Sequence, residues 1–156
     1  MDWFVELEMV SQVLAAFVLG AFIGWEREHR GMQAGIRTYG AIAIGACVFG
    51  LISIHGPLLP GHTSETFDIT RIASNIVVGV GFLGAGVIFR QGDHVGGLTT
   101  AATLWSMAAV GLAVAFKMYV IAVLTTAIMF LMLYLPKMSW WKYISGKKTT
   151  RTNLPE

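Results

Sequence analysis

The sequence predicts an all-α membrane protein, a polytopic bundle of about five transmembrane helices. Three observations predict it. Apolar residues make up 55% of the 156 residues and charged residues 13%, whereas a soluble domain carries about 25% charged residues. The mean hydropathy of +0.66 points the same way. The charges gather in the gaps between long apolar runs, as in chains that cross a bilayer.

Five runs follow in order: Val10–Trp25, Tyr39–Ile54, Ile72–Phe89, Leu98–Phe116 and Met118–Leu135. A span needs about 20 residues. The first two runs reach that length by extending into their flanks, the first from near Phe4. The segment Gly56–Arg71, with two prolines and two glycines, reads as a loop. The expected organisation is a transmembrane helical domain over residues 1–137 and a basic interfacial tail over 138–156. In that tail Trp140, Trp141 and Tyr143 alternate with lysines, a pattern suited to anionic lipid. The start is acidic (Asp2, Glu6, Glu8), unlike a cleavable signal peptide. The first run is therefore expected to stay as an anchor.

Lys and Arg give the orientation. One side receives Arg27, Arg30, Arg37, Arg90, Lys137, Lys142, Lys147, Lys148 and Arg151; the other receives Arg71 and Lys117. Nine against two places the rich side in the cytoplasm, the N-terminus outside and the C-terminus inside. A net charge of +2 without a basic stripe argues against nucleic acid. The single cysteine, Cys47, excludes an intramolecular disulfide and a multi-cysteine metal site. His29, His55, His62 and His94 form no helical metal pair, and no nucleophile–base arrangement is present. Neither a catalytic residue nor a resident cofactor is expected. Magnesium remains a candidate ligand, because it takes carboxylates and keeps waters.

"GVGFLGAG" matches the spacing Gly79-x-Gly81-x-x-Gly84 of a dinucleotide fingerprint. It lies within an apolar run and lacks the acidic residue about 20 positions on, so the match is read as coincidental. The better account is helix packing through small residues, by Gly79, Gly81, Gly84 and Gly86 and, in the first span, by Gly20 and Gly24. These glycines place the third span at the centre of the bundle. Thr99, Thr103 and Ser106 fall on one helical face. With Thr100 and Asn75 they form a candidate polar patch between spans three and four. In lipid such groups seek partners on neighbouring helices.

"GWEREHRGMQAGIRT" concentrates charge at the end of the first span. A glutamate there meets the negative end of the helix dipole. Glu26 therefore wants a cation, and Arg30 follows one turn on. Glu26, Arg27, Glu28, Arg37 and Arg90 form a candidate cluster at the cytoplasmic face, able to clamp three helix ends together.

These residues also carry a resemblance. "GAFIGWEREHRGMQAGIRT" and "RIASNIVVGVGFLGAGVIFRQGDHVGGLTTAATLW" resemble the two signatures of the MgtC/SapB family of bacterial membrane proteins, over about Leu19 to Tyr119. The matching positions are Glu26, Arg27, Glu28, Arg37, Arg71, Gly81, Gly84, Gly86, Arg90, Thr99, Thr100 and Trp105. Departures fall at Asn75, Gly96, Phe116 and Lys117. The resemblance implies a multi-pass protein of the bacterial inner membrane, linked to magnesium limitation and intracellular survival. Some members add a soluble cytoplasmic domain; none is expected here. The resemblance implies either a non-enzymatic regulator or a magnesium transporter. It points to a membrane-protein partner, the F-type ATP synthase among them, and a homodimer is a further expected assembly. Because no Asp, Glu, Lys or Arg lies in the inner part of any run, the regulator is preferred and an ion transporter or channel is the alternative.

Overall fold

The computed structural model describes residues 3–56, 69–92 and 94–137. The interfacial tail and most of the Gly56–Arg71 segment lie outside these residues. Five helices follow in order: α1 (Trp3–His29), α2 (Ile36–His55), α3 (Ile69–Gly86), α4 (Leu98–Ala115) and α5 (Tyr119–Tyr134). A single 3₁₀ turn, Leu135–Lys137, extends α5. The fold is an all-α membrane helix bundle. Helices α1, α2 and α4 are each long and apolar enough to cross a membrane, whereas α3 and α5 supply shorter apolar stretches, Arg71–Gly86 and Tyr119–Tyr134. At 1.5 Å per residue, α1 is about 40 Å long, more than the ~30 Å hydrocarbon core. Its charged ends therefore reach the interfaces. Large apolar side chains such as Phe82 and Val120, each 81% exposed, face outward. Such a surface is favourable against lipid or a neighbouring transmembrane helix and unfavourable in water.

Small residues decide how close the helices come. A Cβ on Gly20 would lie 2.7 Å from the Tyr39 carbonyl oxygen, and one on Gly24 would lie 2.6 Å from the Ile36 Cα. The Gly20-xxx-Gly24 pair thus lets the backbone of α1 rest on the start of α2. Gly111 of α4 meets the Ala43 carbonyl of α2, and a Cβ on Gly50 would lie 2.7 Å from the Ala115 Cβ. Together α2 and α4 form the centre, with Tyr39, Cys47, Leu104, Met107, Val110 and Val114 fully enclosed. The third span is not central: α3 packs on α2 and α4 from one side. Gly79, Gly81 and Gly86 have open space around them, and Gly84 alone of the four faces α4, against Ala101. Within this chain, then, Gly84 is the one of the four that packs against another helix. "GVGFLGAG" lies within α3, without the strand that a dinucleotide site needs.

Two helix ends share one hydrogen-bond pattern. The Gly31 N–H donates to Glu28 O and the Met32 N–H to Arg27 O, at 3.0 and 3.1 Å. Gly31 has φ +65°. That is a Schellman cap, with glycine where left-handed backbone is required. At the end of α4, Lys117 N–H donates to Val114 O and Met118 N–H to Ala113 O. Here a lysine with φ 59° takes the glycine position. Its ammonium pairs with Glu8 at 2.7 Å, joining the α4–α5 turn to the N-terminal end of α1. Between α3 and α4, Phe89–Gln91 and His94–Gly96 form a short antiparallel ribbon turning at Gly92. The third helix thus ends at Gly86, and Arg90 lies on a strand.

Candidate functional site

The C-terminal turn of α1 meets the N-terminal turns of α2 and α4. Helical phase turns Glu26 and Arg27 inward, at 6% and 5% exposure, and leaves Glu28 outward. The Glu26 carboxylate forms an ion pair with Arg30. Neither of its oxygens has a partner in hydrogen-bonding geometry among the described residues, so the pairing is electrostatic. Arg27 reaches across to α4, where its Nη2 donates to Thr100 Oγ1 at 3.1 Å. Its guanidinium also faces the Tyr39 hydroxyl. Tyr39 and Thr103 share a hydrogen bond at 2.5 Å, and the Thr103 hydroxyl is within donating distance of the Thr99 and Thr100 carbonyls one turn back in α4. The result is a buried polar chain through α1, α2 and α4: Glu26 and Arg27, then Tyr39, Thr100 and Thr103.

Glu28 has a separate role. Its Oε2 accepts the Ile36 N–H at 3.0 Å. Gly35, the N-cap of α2, has no side chain to do so. A carboxylate at a helix N-terminus satisfies a free donor and complements the dipole. Glu28 thus tolerates the end of α1 because it caps α2.

Some of the expected cluster is not brought together. Arg37 is exposed in the first turn of α2. Arg90 is exposed on the ribbon, its Nε donating to Gly92 O at 3.0 Å. Neither joins Glu26, and Arg30 takes the pairing role. The polar patch divides likewise. Thr100 and Thr103 are buried in the site, Thr99 is exposed beside it, and Ser106 is half-buried and bonds back to Ala102 O. Asn75 is exposed on α3 and lines a different cavity from Thr99 and Thr100. Sequence reasoning missed Tyr39, because a tyrosine opening an apolar run reads equally as an interfacial anchor. It also missed Gln12, whose Nε2 donates to Val114 O and Ala115 O at 2.9 and 3.0 Å. That amide ties α1 to the last carbonyls of α4, and its signal was a strongly polar residue inside an apolar run.

Two cavities border these elements. A polar one of about 460 Å³ lies beside the cluster, lined by Arg27, Arg30, Leu98, Thr99, Thr100 and Leu133 among others. A larger apolar groove of about 540 Å³ runs between α2 and α3, with Ala41, Gly45, Phe49, Asn75, Gly79 and Leu83 in its walls. The groove is larger, but the chemistry lies in the smaller cavity, because the groove contains no charged group.

The sequence profile of the MgtC family matches residues 13–139. The chain belongs to the MgtC family. Curated relatives agree: Protein MgtC of Brucella abortus (strain 2308) is 51% identical over 96 residues, covering 62% of this chain and 37% of the relative. Protein MgtC of Salmonella typhimurium (strain LT2) is 48% identical over 102 residues, covering 65% of this chain and 41% of the relative. The chain thus spans about two fifths of the length of these MgtC relatives. No solved structure matches it. The matched stretch includes both the charged end of α1 and the start of α4.

Proposed function

We propose that this MgtC-family chain is a non-enzymatic, multi-pass regulator of the bacterial inner membrane, serving under magnesium limitation through contacts of its helix faces and cytoplasmic loops. The groove between α2 and α3 carries the reading. It is apolar, lined by backbone at Gly45 and Gly79 where no side chain intervenes, and open to the surrounding lipid. Small residues let a second helix approach closely in a membrane, where packing rather than hydrophobicity drives association. The occupant is a transmembrane helix of a partner, and the F-type ATP synthase is the partner that the family points to. Packing of α2 against α4 at backbone distance also supports a regulator over an ion path. The basic end, with Arg27, Arg30, Arg37 and Arg90, is assigned to the cytoplasm, and the Glu8–Lys117 end to the outside.

ATP-driven proton pumping in inverted membrane vesicles tests this reading. The wild-type chain is expected to lower pumping, and Gly79→Leu, which fills the groove, to restore it without loss of the protein from the membrane. Equal pumping with wild type, Gly79→Leu and empty vector would overturn the assignment of partner and groove.

A further inference from the structure

Arg27 is held by Thr100 and faces the Tyr39 hydroxyl, yet one of its donors stays unpaired among the described residues. It is 5% exposed, its Nη2 is bound to Thr100, and its Nε has no hydrogen-bond partner among the described residues. A buried donor without an acceptor is costly, and more so on a charged group. The polar cavity opens against this side chain.

The facing wall is the start of α4. Gly97 is the N-cap, with φ 84° and no side-chain cap, and Leu98, Thr99 and Thr100 follow it into the cavity lining. The α4 ladder begins with Ala101 N–H donating to Gly97 O at 2.8 Å. The N–H groups of Leu98, Thr99 and Thr100 precede it and have no acceptor within the helix. They supply donors and the positive end of the helix dipole. Charge completes the case. Arg27 and Arg30 bring two guanidiniums, and Glu26 brings one carboxylate, already paired with Arg30. Among the described residues that line it, one positive charge is left over, on a fork of N–H donors suited to a tetrahedral oxyanion. Leu98, Met132, Leu133 and Pro136 make the remaining wall apolar. The volume of about 460 Å³ exceeds a bare anion and admits one with an organic substituent.

We propose that this cavity is a phosphate-binding site, in which the Arg27 guanidinium and the first turn of α4 hold the phosphate oxygens and the Thr99 hydroxyl adds a donor at the mouth. The bound group is a phosphate monoester, free phosphate or the phosphodiester of a lipid headgroup. The site stands apart from the α2–α3 groove and does not depend on what occupies it.

Thermal unfolding of the purified full chain in detergent tests the site, because a ligand of the folded state raises its stability by mass action. One arm adds inorganic phosphate against chloride at matched ionic strength. The other adds short-chain phosphatidylglycerol against the corresponding diacylglycerol, which lacks the phosphate. At least one phosphate probe is expected to raise the wild-type Tm saturably. A response to inorganic phosphate assigns a soluble ligand; a response to phosphatidylglycerol alone assigns a headgroup. Arg27→Gln is expected to weaken binding by about tenfold or more, Thr99→Val by a few-fold, and Arg37→Gln, on the same end but outside the cavity, not at all. If Arg27→Gln does not fold, wild type and Thr99→Val still decide. No stabilisation of wild type by either probe overturns the site. So does equal weakening by Thr99→Val and Arg37→Gln.

Discussion

Arg30 and Arg37 carry the same charge at the same end of the molecule, yet their loss has different consequences. Arg30 is the ion-pair partner of a carboxylate that is 6% exposed, so Arg30→Gln leaves Glu26 buried and unpaired. Breaking such a pair costs about 3–5 kcal/mol. Arg37 and Arg90 are exposed, and replacing either with Gln should cost about 0–1 kcal/mol. Unfolding in detergent checks the contrast; equal losses at Arg30 and Arg37 would show Glu26 to be solvated. Glu28→Gln weakens the cap of α2 rather than a core pair and should cost about 1 kcal/mol. Lys117 gives a pH signature. The Glu8 carboxylate, by its hydrogen bond, holds the Lys117 ammonium above the ordinary lysine range. A raised folded-state value means stability present below the unfolded value and lost as pH rises through the folded one. Wild type should therefore lose a small increment of stability at strongly alkaline pH that Lys117→Met does not lose. Parallel alkaline melts would remove the pair from the account.

At the scale of the helices, the contacts rank the glycines by what a side chain would meet. Gly20→Leu and Gly24→Leu would drive atoms into the backbone of α2 and are expected to abolish a monodisperse detergent-solubilised protein. Gly81→Leu meets open space and should be tolerated. Size-exclusion profiles of the three variants check this, and failure of Gly81→Leu alone would return α3 to the centre. The pattern explains what was legible in the sequence. A small-xxx-small spacing reports that a close approach is sterically allowed, and Gly20-xxx-Gly24 and Gly81-xxx-Ala85 look alike in that respect. Which one is used depends on the neighbour, which spacing along one helix does not encode. The five helices were legible because apolar length is a one-dimensional property. The ribbon at Phe89–Gly96 was not, since three-residue strands carry no usable period. Glu26 and Arg27 were legible as a charged helix end, but their inward phase, and the outward phase of Arg37, follow from how α1 lies on α2 and α4.

Over the whole molecule, charge separates into two ends joined by an apolar bundle. Glu8 and Lys117 meet at one end, and Glu26, Arg27, Arg30 and the ribbon occupy the other. Between them the buried polar groups among the described residues are neutral: Gln12, Ser53, Thr103 and Thr126. Such an interior suits a protein that acts through its faces. Uptake of magnesium into liposomes that contain the purified chain alone tests this most directly. Entry is expected to be no faster than into protein-free liposomes, with or without an imposed membrane potential. Saturable magnesium entry that requires the protein and is abolished by Glu26→Gln would contradict it and establish an ion pathway.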